Sequence, residues 1–316
     1  MKSLNNDGIG ICVLAYKRLI HLKKTLNAIF KFIHKSDKIY IFLDHPPKKV
    51  HIKDKKKFEL VKNFCNKIQS KKIFLKKSKI NLGPKKSWYL AYDYMFTKYN
   101  KVIVIEDDIV IKKNFFSFMK YYLNKFENNK NVMSVTGYST PVDLPKNYKF
   151  DCYISNRSMS WSKATWKRVW LTFKNMKNHH KKIINNRKNL LLLSKAGEDL
   201  IRTIKLDCLK IVNSFQVWWI WNMVQNKGLS INPVENLIIN TGFDGSGYHT
   251  NKKVNFIFNK VQKKFRIRMK SLYFLESINN SFIKNFKIKK ILFLFYLYFN
   301  TSIINKLLKI KIFYLK

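Results

Sequence analysis

The sequence predicts an α/β fold built on a doubly wound, mostly parallel sheet. Apolar runs of strand length alternate with segments of helical periodicity through the first half of the chain. The short connections between them imply parallel pairing with right-handed crossovers. One of the apolar runs also ends in three consecutive carboxylates, at Glu106, Asp107 and Asp108. The carboxyl end of a buried strand is where such a sheet places its ligand crevice.

The elements of the first half follow from apolar spacing and from the residues that interrupt it. The run GIGICVLAY is a buried strand, and the next segment repeats leucine and isoleucine at the helical period. Pro46 and Pro47 stop the second strand, and Asn81 to Pro84 separate a third strand from a helix. The predicted order is strand 8–16, helix 21–34, strand 38–43, helix 54–69, strand 72–75, helix 86–99 and strand 101–105.

The second half is less regular. A helix with an aromatic face is predicted at 114–125, a strand at 131–137, a mostly helical stretch at 197–224 and strand-like sequence at 230–240. Between them lies a tryptophan-containing segment at 158–170, and a glycine-rich loop follows at 241–249. From residue 254 onwards the chain is basic and poor in acids, which divides it into a domain at 1–253 and a basic, mainly helical C-terminal extension at 254–316.

The net charge of +45 has two explanations. One is a general bias toward lysine at the surface, and the other is a polyanionic partner, either nucleic acid or an anionic membrane. The charge is uneven, because Glu276 is the only acidic residue between Lys252 and Lys316. Basic residues interleaved with aromatic and aliphatic ones are typical of an interfacial membrane helix. A helical subdomain packed on the core is an equal alternative.

The spacing of the cysteines and the lengths of the apolar runs indicate the cellular compartment of the protein. Four widely spaced cysteines form no CxxC pair, which argues against a zinc module or a disulfide framework and favours a reducing compartment. The first residues contain no apolar stretch of signal-peptide length, and the longest apolar run, 291–299, is about half the ~20 residues of a spanning helix. We therefore expect a cytoplasmic protein, at most peripheral on the inner face of the membrane.

Polar residues follow each of the four predicted strands of the first half. Arg18 comes after the first strand, Asp44 after the second, Asn81 and Gly83 after the third, and the acidic triplet after the fourth. In a doubly wound sheet these ends share one edge. The set offers a base for a phosphate, an acceptor for a ribose or uracil group, a glycine turn and carboxylates for a hard divalent cation. A nucleoside diphosphate with a bridging cation would satisfy all of them.

With these residues, positions 8–250 resemble glycosyltransferases of the GT-A fold. The order is similar to that of the inverting N-acetylglucosaminyltransferase type and of related bacterial polysaccharide and lipopolysaccharide enzymes. The resemblance implies that the acidic triplet is a DxD-like element in which Asp108 binds Mn²⁺ or Mg²⁺. It also implies that Glu106 and Asp107 contact ribose and sugar, and that Arg18 and Asp44 bind the nucleotide.

Three later segments extend the resemblance. Trp161 lies in a segment that packs near sugar and acceptor in such enzymes, although a core aromatic is the alternative. Glu198 and Asp199 match a Gly-acid-acid-Leu element and are the candidate general bases for an inverting transfer. A helix-capping pair is an equally good explanation for them. Asp244 and His249 lie in a segment that resembles the loop closing the site in the family, where His249 would reach a phosphate or the metal. A solvated loop histidine is the alternative for His249.

One departure from the family's pattern leaves the identity of the general base open. The family's catalytic aspartate falls in a region where this chain has Asn213 and Gln216 and no carboxylate. The base therefore lies elsewhere, at Glu198, Asp199 or Asp207, or the chain uses another arrangement, or it is an inactive homologue acting as a membrane-associated partner. A nucleic-acid-binding protein is disfavoured, because no recognition motif appears and the acidic triplet would repel phosphates.

The resemblance thus implies a metal-dependent transfer of a sugar from a nucleotide donor to a saccharide or lipid-linked glycan. Cell-surface polysaccharide or lipopolysaccharide synthesis is the expected pathway. Asp44 favours a uridine donor.

Overall fold

The computed structural model describes residues 8–176, 183–246 and 266–309. Its strands are β1 (Ile9–Ala15), β2 (Ile39–Leu43), β3 (Ile73–Lys77), β4 (Lys101–Glu106), β5 (Ile109–Ile111), β6 (Val132–Thr136), β7 (Cys152–Ser155), β8 (Lys163–Trp166), β9 (Leu229–Pro233) and β10 (Ile238–Asn240). The first four lie within a few residues of the predicted strands, because each contains an apolar run bounded by turn residues. The apolar runs of β1, β2 and β4 are buried, and that of β3 is partly buried.

The helices lie between the strands and after them. They are α1 (Leu19–Phe32), α2 (Ile52–Lys67), α3 (Gly83–Met95), α4 (Phe115–Lys125), α5 (Lys167–Asn175), α6 (Arg187–Ser194), α7 (Asp199–Cys208), α8 (Phe215–Gln225), α9 (Glu276–Lys284), α10 (Lys290–Tyr298) and α11 (Thr301–Lys309). Among these residues no helix is both long enough and apolar enough to cross a bilayer.

The sheet confirms the predicted α/β fold class. Eight strands pair in the order β3-β2-β1-β4-β8-β6-β9-β7. The first four are parallel to one another, so their carboxyl ends share one edge. The other half mixes directions, because β8 runs antiparallel to both β4 and β6, and β7 runs antiparallel to β9. Four of the seven pairings are parallel, counting also β6 with β9.

Two antiparallel segments were not predicted as strands. Strand β8 comes from the tryptophan-containing segment, and β7 comes from the connection before it. Each has only four residues, so alternation is too short to register as a pattern. Their insertion places β8, with Lys163, directly beside the strand that ends in the acidic triplet.

A small second sheet brings the glycine-rich loop to this edge. Strand β5 follows the acidic triplet and pairs antiparallel with β10, in the register Ile109 with Asn240. The residues after Asn240 therefore begin beside Asp108. Helices α10 and α11 pack through Phe295 and Ile304 into the same apolar core as the sheet.

Candidate functional site

The polar residues that follow the parallel strands lie at a single edge of the sheet. Strand β1 pairs with β2 and with β4, in registers that set Ala15 beside Leu43 and Leu14 beside Glu106. Arg18 begins the turn into α1, and Asp44 and the acidic triplet directly follow their strands. The structure thereby brings together the predicted residues that follow the parallel strands, in two groups, one around Asp108 and one around Asp44.

Arg18 neutralises the two aspartates. Its Nη2 donates to Oδ1 of Asp107 and lies 2.9 Å from Oδ2 of Asp108. Asp107 is buried, and its other oxygen accepts from the backbone N–H of Tyr16 at 3.4 Å. Burial raises the pKa of Asp107 to about 6, and the nearby guanidinium opposes that rise. The two aspartates therefore hold Arg18 at the sheet edge.

Glu106 has a different environment from the two aspartates. Burial, followed by repulsion from Asp108 and Asp107, raises the pKa of Glu106 to about 8. Its hydrogen-bonding partner is the side chain of Trp88, which stacks on Phe215 at a centroid distance of 5.2 Å. A carboxyl in such surroundings keeps its proton to unusually high pH.

Asp108 is the member of the triplet that meets the glycine-rich loop. Its backbone carbonyl accepts from the N–H and the Oγ1 of Thr241, at 2.8 and 2.9 Å. A Cβ on Gly242 would stand 2.0 Å from Oδ2 of Asp108, so the loop approaches the carboxylate as closely as glycine allows. The other oxygen, Oδ1, is buried and has no hydrogen-bonding partner among the described residues.

The unpaired Oδ1 of Asp108 is the observation that bears on metal binding. An unpaired buried carboxylate oxygen is costly, and a hard divalent cation is the partner that such an oxygen suits best. The described residues contain no group of three or more His, Cys, Asp or Glu side chains able to hold a metal by themselves. Asp108 therefore fits a cation whose remaining ligands come from a bound phosphate and water, as Mg²⁺ sites commonly arrange.

His21 joins the loop to helix α1. Its Nε2 lies 3.1 Å from the carbonyl oxygen of Thr241 and 3.1 Å from Oδ2 of Asp244. Asp244 also accepts from Ser246, and that hydrogen bond is the main cause that lowers the pKa of Asp244. His21 was not identified from the sequence as a site residue. Its position one helical turn after Arg18 places it on the same side of α1 and could have indicated it. His249 lies outside the described residues.

An aromatic group contacts the loop at Phe243. The ring centroid of Trp161 lies 4.3 Å from that of Tyr138 and 5.2 Å from that of Phe243, the residue after Gly242. Trp161 is partly exposed, whereas Trp166 and Trp170 are buried in the core. Trp161 is thus the tryptophan of its segment that lies against the loop, and a flat ring there suits the face of a sugar.

Asp44 uses its carboxylate to hold the start of helix α3. Oδ1 accepts from the N–H of Leu82 at 2.8 Å, and Oδ2 accepts from the N–H of Gly83 at 2.9 Å. Asn81 supports this turn by donating to the carbonyl of His45 at 2.6 Å and to Asp44 at 3.3 Å. Gly83 has a φ of +69°, a left-handed conformation that favours glycine. The three residues form one turn at the sheet edge.

The candidate bases have structural partners. Asp199 forms a two-pronged ion pair with Arg157, at 2.7 and 2.9 Å, and Glu198 accepts from the N–H of Ile288 at 3.1 Å. Asp207 accepts from Ser214 and Trp218 and pairs with Lys85 at 2.5 Å. These contacts fasten the C-terminal helices and helix α8. Catalytic roles for Glu198 and Asp199 stay predictions.

A buried polar network behind Glu106 was not predicted. Lys163 is fully buried, and its Nζ donates to Oε1 of Gln216 at 2.7 Å. Gln216 in turn donates to the carbonyl of Ser158 at 2.6 Å. Burial lowers the pKa of Lys163 well below its usual range, while Glu106 opposes that shift. A single lysine in an aromatic-rich stretch gives no sequence signal of burial, since lysine is usually exposed.

Comparison with known proteins gives limited likenesses. No family model and no curated protein matches the sequence. Among solved structures, S. aureus TarS 1-349 is 12% identical with a TM-score of 0.35, covering 54% of this chain and 49% of that one. GalNAc-T7 with UDP, GalNAc and Mn²⁺ is 10% identical with a TM-score of 0.41, covering 55% and 37%. The chain thus matches less than half the length of either, and overlap of this extent does not identify an activity.

Proposed function

We propose that this protein is a metal-dependent glycosyltransferase. It would move a sugar from a nucleotide donor, UDP-linked by our expectation, to a saccharide or lipid-linked glycan. The observation that carries the proposal is the buried, unpaired Oδ1 of Asp108 at the carboxyl edge of four parallel strands, with the Arg18 guanidinium and the glycine-rich loop both against its other oxygen, Oδ2. A nucleoside diphosphate with its cation suits each of these features.

Donor binding is assigned to the group around Asp108. Arg18 would pair with the diphosphate, since a guanidinium matches phosphate geometry and stays charged. Asp107 would keep Arg18 in position. A bound Mn²⁺ or Mg²⁺ would supply Lewis-acid stabilisation of the departing diphosphate and would be held by Asp108. Gly242 would let the loop close against the bound ligand without a side chain in the way.

Acceptor binding is assigned to the aromatic side of the loop. Trp161 and Tyr138 offer a platform next to Phe243, the residue after Gly242. A general base must remove the proton of the acceptor hydroxyl in an inverting transfer. Glu198 and Asp199 are proposed for this on pattern alone, and replacing Asp199 would also break its ion pair with Arg157.

The experiment is an assay of UDP release from a panel of UDP-sugars, with and without Mn²⁺. Catalysed release should require the metal and be abolished in Asp108→Asn. Glu59→Gln is the matched control, because Glu59 is an exposed carboxylate on α2 paired with Lys62. It should behave like the wild type. Metal-dependent binding of a UDP-sugar without release of UDP, with or without glycan acceptors, would instead support the inactive homologue.

A further inference from the structure

Helix α10 leaves an apolar face uncovered. It buries Phe295, Tyr296 and Leu297 against the core. On the other side it exposes Ile291 by 73%, Leu294 by 39% and Tyr298 by 56% of their surface. Those three positions follow the i, i+3, i+7 spacing of a single helix face. Large apolar side chains grouped in this way mark an interaction surface more often than isolated ones do.

The face continues onto helix α6. The guanidinium of Arg187 lies 4.0 Å from the ring centroid of Tyr298, so the two helices are neighbours there. Leu191, one turn after Arg187, is 41% exposed, and Leu192 is 40% exposed. We call this surface the α6–α10 face, made of Leu191, Leu192, Ile291, Leu294 and Tyr298.

The α6–α10 face is held firmly on the protein. At the end of α10, buried Lys205 donates from Nζ to the carbonyl of Phe299 at 2.5 Å. Just before α10, the N–H of Ile288 donates to Glu198 at 3.1 Å. The helix is therefore fixed at both ends, and the exposure of its apolar residues follows from the fold.

The charges on the helices that carry the face, and on α11 after them, have one sign. Helices α6, α10 and α11 contain no aspartate or glutamate, whereas they and the residue before α10 supply Arg187, Lys188, Lys289, Lys290 and Lys306. Helix α2 provides a contrast. It exposes Ile52 by 65% and Leu60 by 57%, but Asp54 and Glu59 stand among its lysines.

We propose that the α6–α10 face docks on the surface of an anionic lipid bilayer. Leucine, isoleucine and tyrosine side chains enter the boundary between headgroups and acyl chains, and the flanking lysines and arginine meet anionic headgroups. Long basic side chains keep their charge in the headgroup layer while their stems lie on apolar surface. The proposal does not depend on the transferase activity.

The test is co-sedimentation of the full chain with vesicles of phosphatidylcholine alone or mixed with phosphatidylglycerol. The wild type should bind only the anionic vesicles. Binding should weaken as salt is added, because at 0.1 M ionic strength charges more than about 10 Å apart are largely screened from one another. The triple variant Ile291→Ser, Leu294→Ser, Tyr298→Ser should bind anionic vesicles more weakly than the wild type, by a factor on the order of ten or more. Ile52→Ser with Leu60→Ser, on the contrasting α2 surface, should bind as the wild type does.

A second variant separates charge from apolar contact. Lys289→Glu with Lys290→Glu changes exposed residues only and should also weaken binding to anionic vesicles. Sedimentation velocity on both variants checks that they stay folded and reveals any dimer. The proposal would be overturned by equal binding of the triple variant, by no vesicle binding of the wild type, or by a wild-type dimer that the triple variant dissociates. RNA binding in place of vesicle binding would also overturn it.

Discussion

At the scale of single residues, the three consecutive carboxylates after strand β4 have three different environments. Glu106 is hydrogen-bonded by Trp88 and lies within the electrostatic reach of buried Lys163, Asp107 is held by Arg18 and the backbone of Tyr16, and Asp108 keeps one oxygen unpaired. Glu106 is the last residue of β4, whereas Asp107 and Asp108 lie in the turn between β4 and β5, so the strand ends within the triplet. The three adjacent carboxylates therefore have three different sets of neighbours.

The raised pKa of Glu106 gives a pH-dependent stability. Because burial raises this pKa from 4.5 to about 8, the unfolded chain loses the proton first as the pH rises. The free energy of unfolding should fall across that interval, with a slope of at most about 1.4 kcal/mol per pH unit from this group. In Glu106→Gln the slope should be smaller, as measured by urea unfolding at several pH values. Identical slopes in the variant and the wild type would show that Glu106 is not desolvated in the fold.

The sequence indicated most residues of this site because each follows an apolar run. Arg18, Asp44 and the acidic triplet stand at strand ends that a parallel sheet must bring together. His21 and Lys163 could not be found in that way. His21 contacts the loop over a separation of 220 residues, and Lys163 reaches the site through an antiparallel strand that the pattern did not reveal.

At the scale of elements, helix α3 begins without a capping side chain of its own. Its first N–H groups are satisfied instead by Asp44, from the end of the neighbouring strand β2. Such a contact joins strand, turn and helix, because the donors of a helix start otherwise remain unpaired. It also explains an aspartate after β2 without reference to a ligand.

Replacing Asp44 tests that structural contribution. Asp44→Ala removes the acceptors of Leu82 and Gly83 and should lower the free energy of unfolding by about 1–2 kcal/mol, as loss of a helix cap does. Asp44→Asn keeps one acceptor oxygen and should lose less. Urea unfolding measures both. If Asp44→Ala unfolds at the wild-type urea concentration but binds nucleotide less well, the carboxylate acts on the ligand and not on the helix.

The elements also show why the two halves of the sheet differed in predictability. Strands β1, β2 and β4 are built on continuous apolar runs and β3 on a shorter one, and helices separate them, so both their existence and their parallel order follow from spacing. Strands β7 and β8 are short and contain Ser155 and Lys163. Their pairing is decided by contacts across the chain, which no local pattern records.

At the scale of the whole molecule, Arg157 fastens the C-terminal helices to the sheet. It follows strand β7, pairs with Asp199 at the start of α7, and stacks at 3.5 Å on the ring of Phe286, just after α9. Arg157 is buried, whereas Asp199 is about one-third exposed. A planar guanidinium that both pairs and stacks is not replaced by lysine.

Removing this contact should weaken the whole assembly. Arg157→Met should lower the free energy of unfolding by about 2 kcal/mol, less than a fully buried pair because water reaches Asp199. It should also speed proteolysis within residues 276–309. The matched control is Lys174→Met, which breaks the exposed pair with Asp93 and should cost less than about 1 kcal/mol. Equal losses in the two variants would contradict a fastening role for Arg157.

The central claim is that Asp108 completes a nucleoside-diphosphate site with a divalent cation. Calorimetric titration of UDP into the full chain, with and without Mn²⁺, tests it most directly on the wild type, Asp108→Asn, Gly242→Ala and the control Glu59→Gln. We predict metal-dependent binding in the wild type and the control, and at least about tenfold weaker binding in Asp108→Asn, which loses a charged ligand oxygen. Gly242→Ala should also bind more weakly, since its Cβ would press on Asp108. Metal-independent binding, or equal affinity in Asp108→Asn, would contradict the claim.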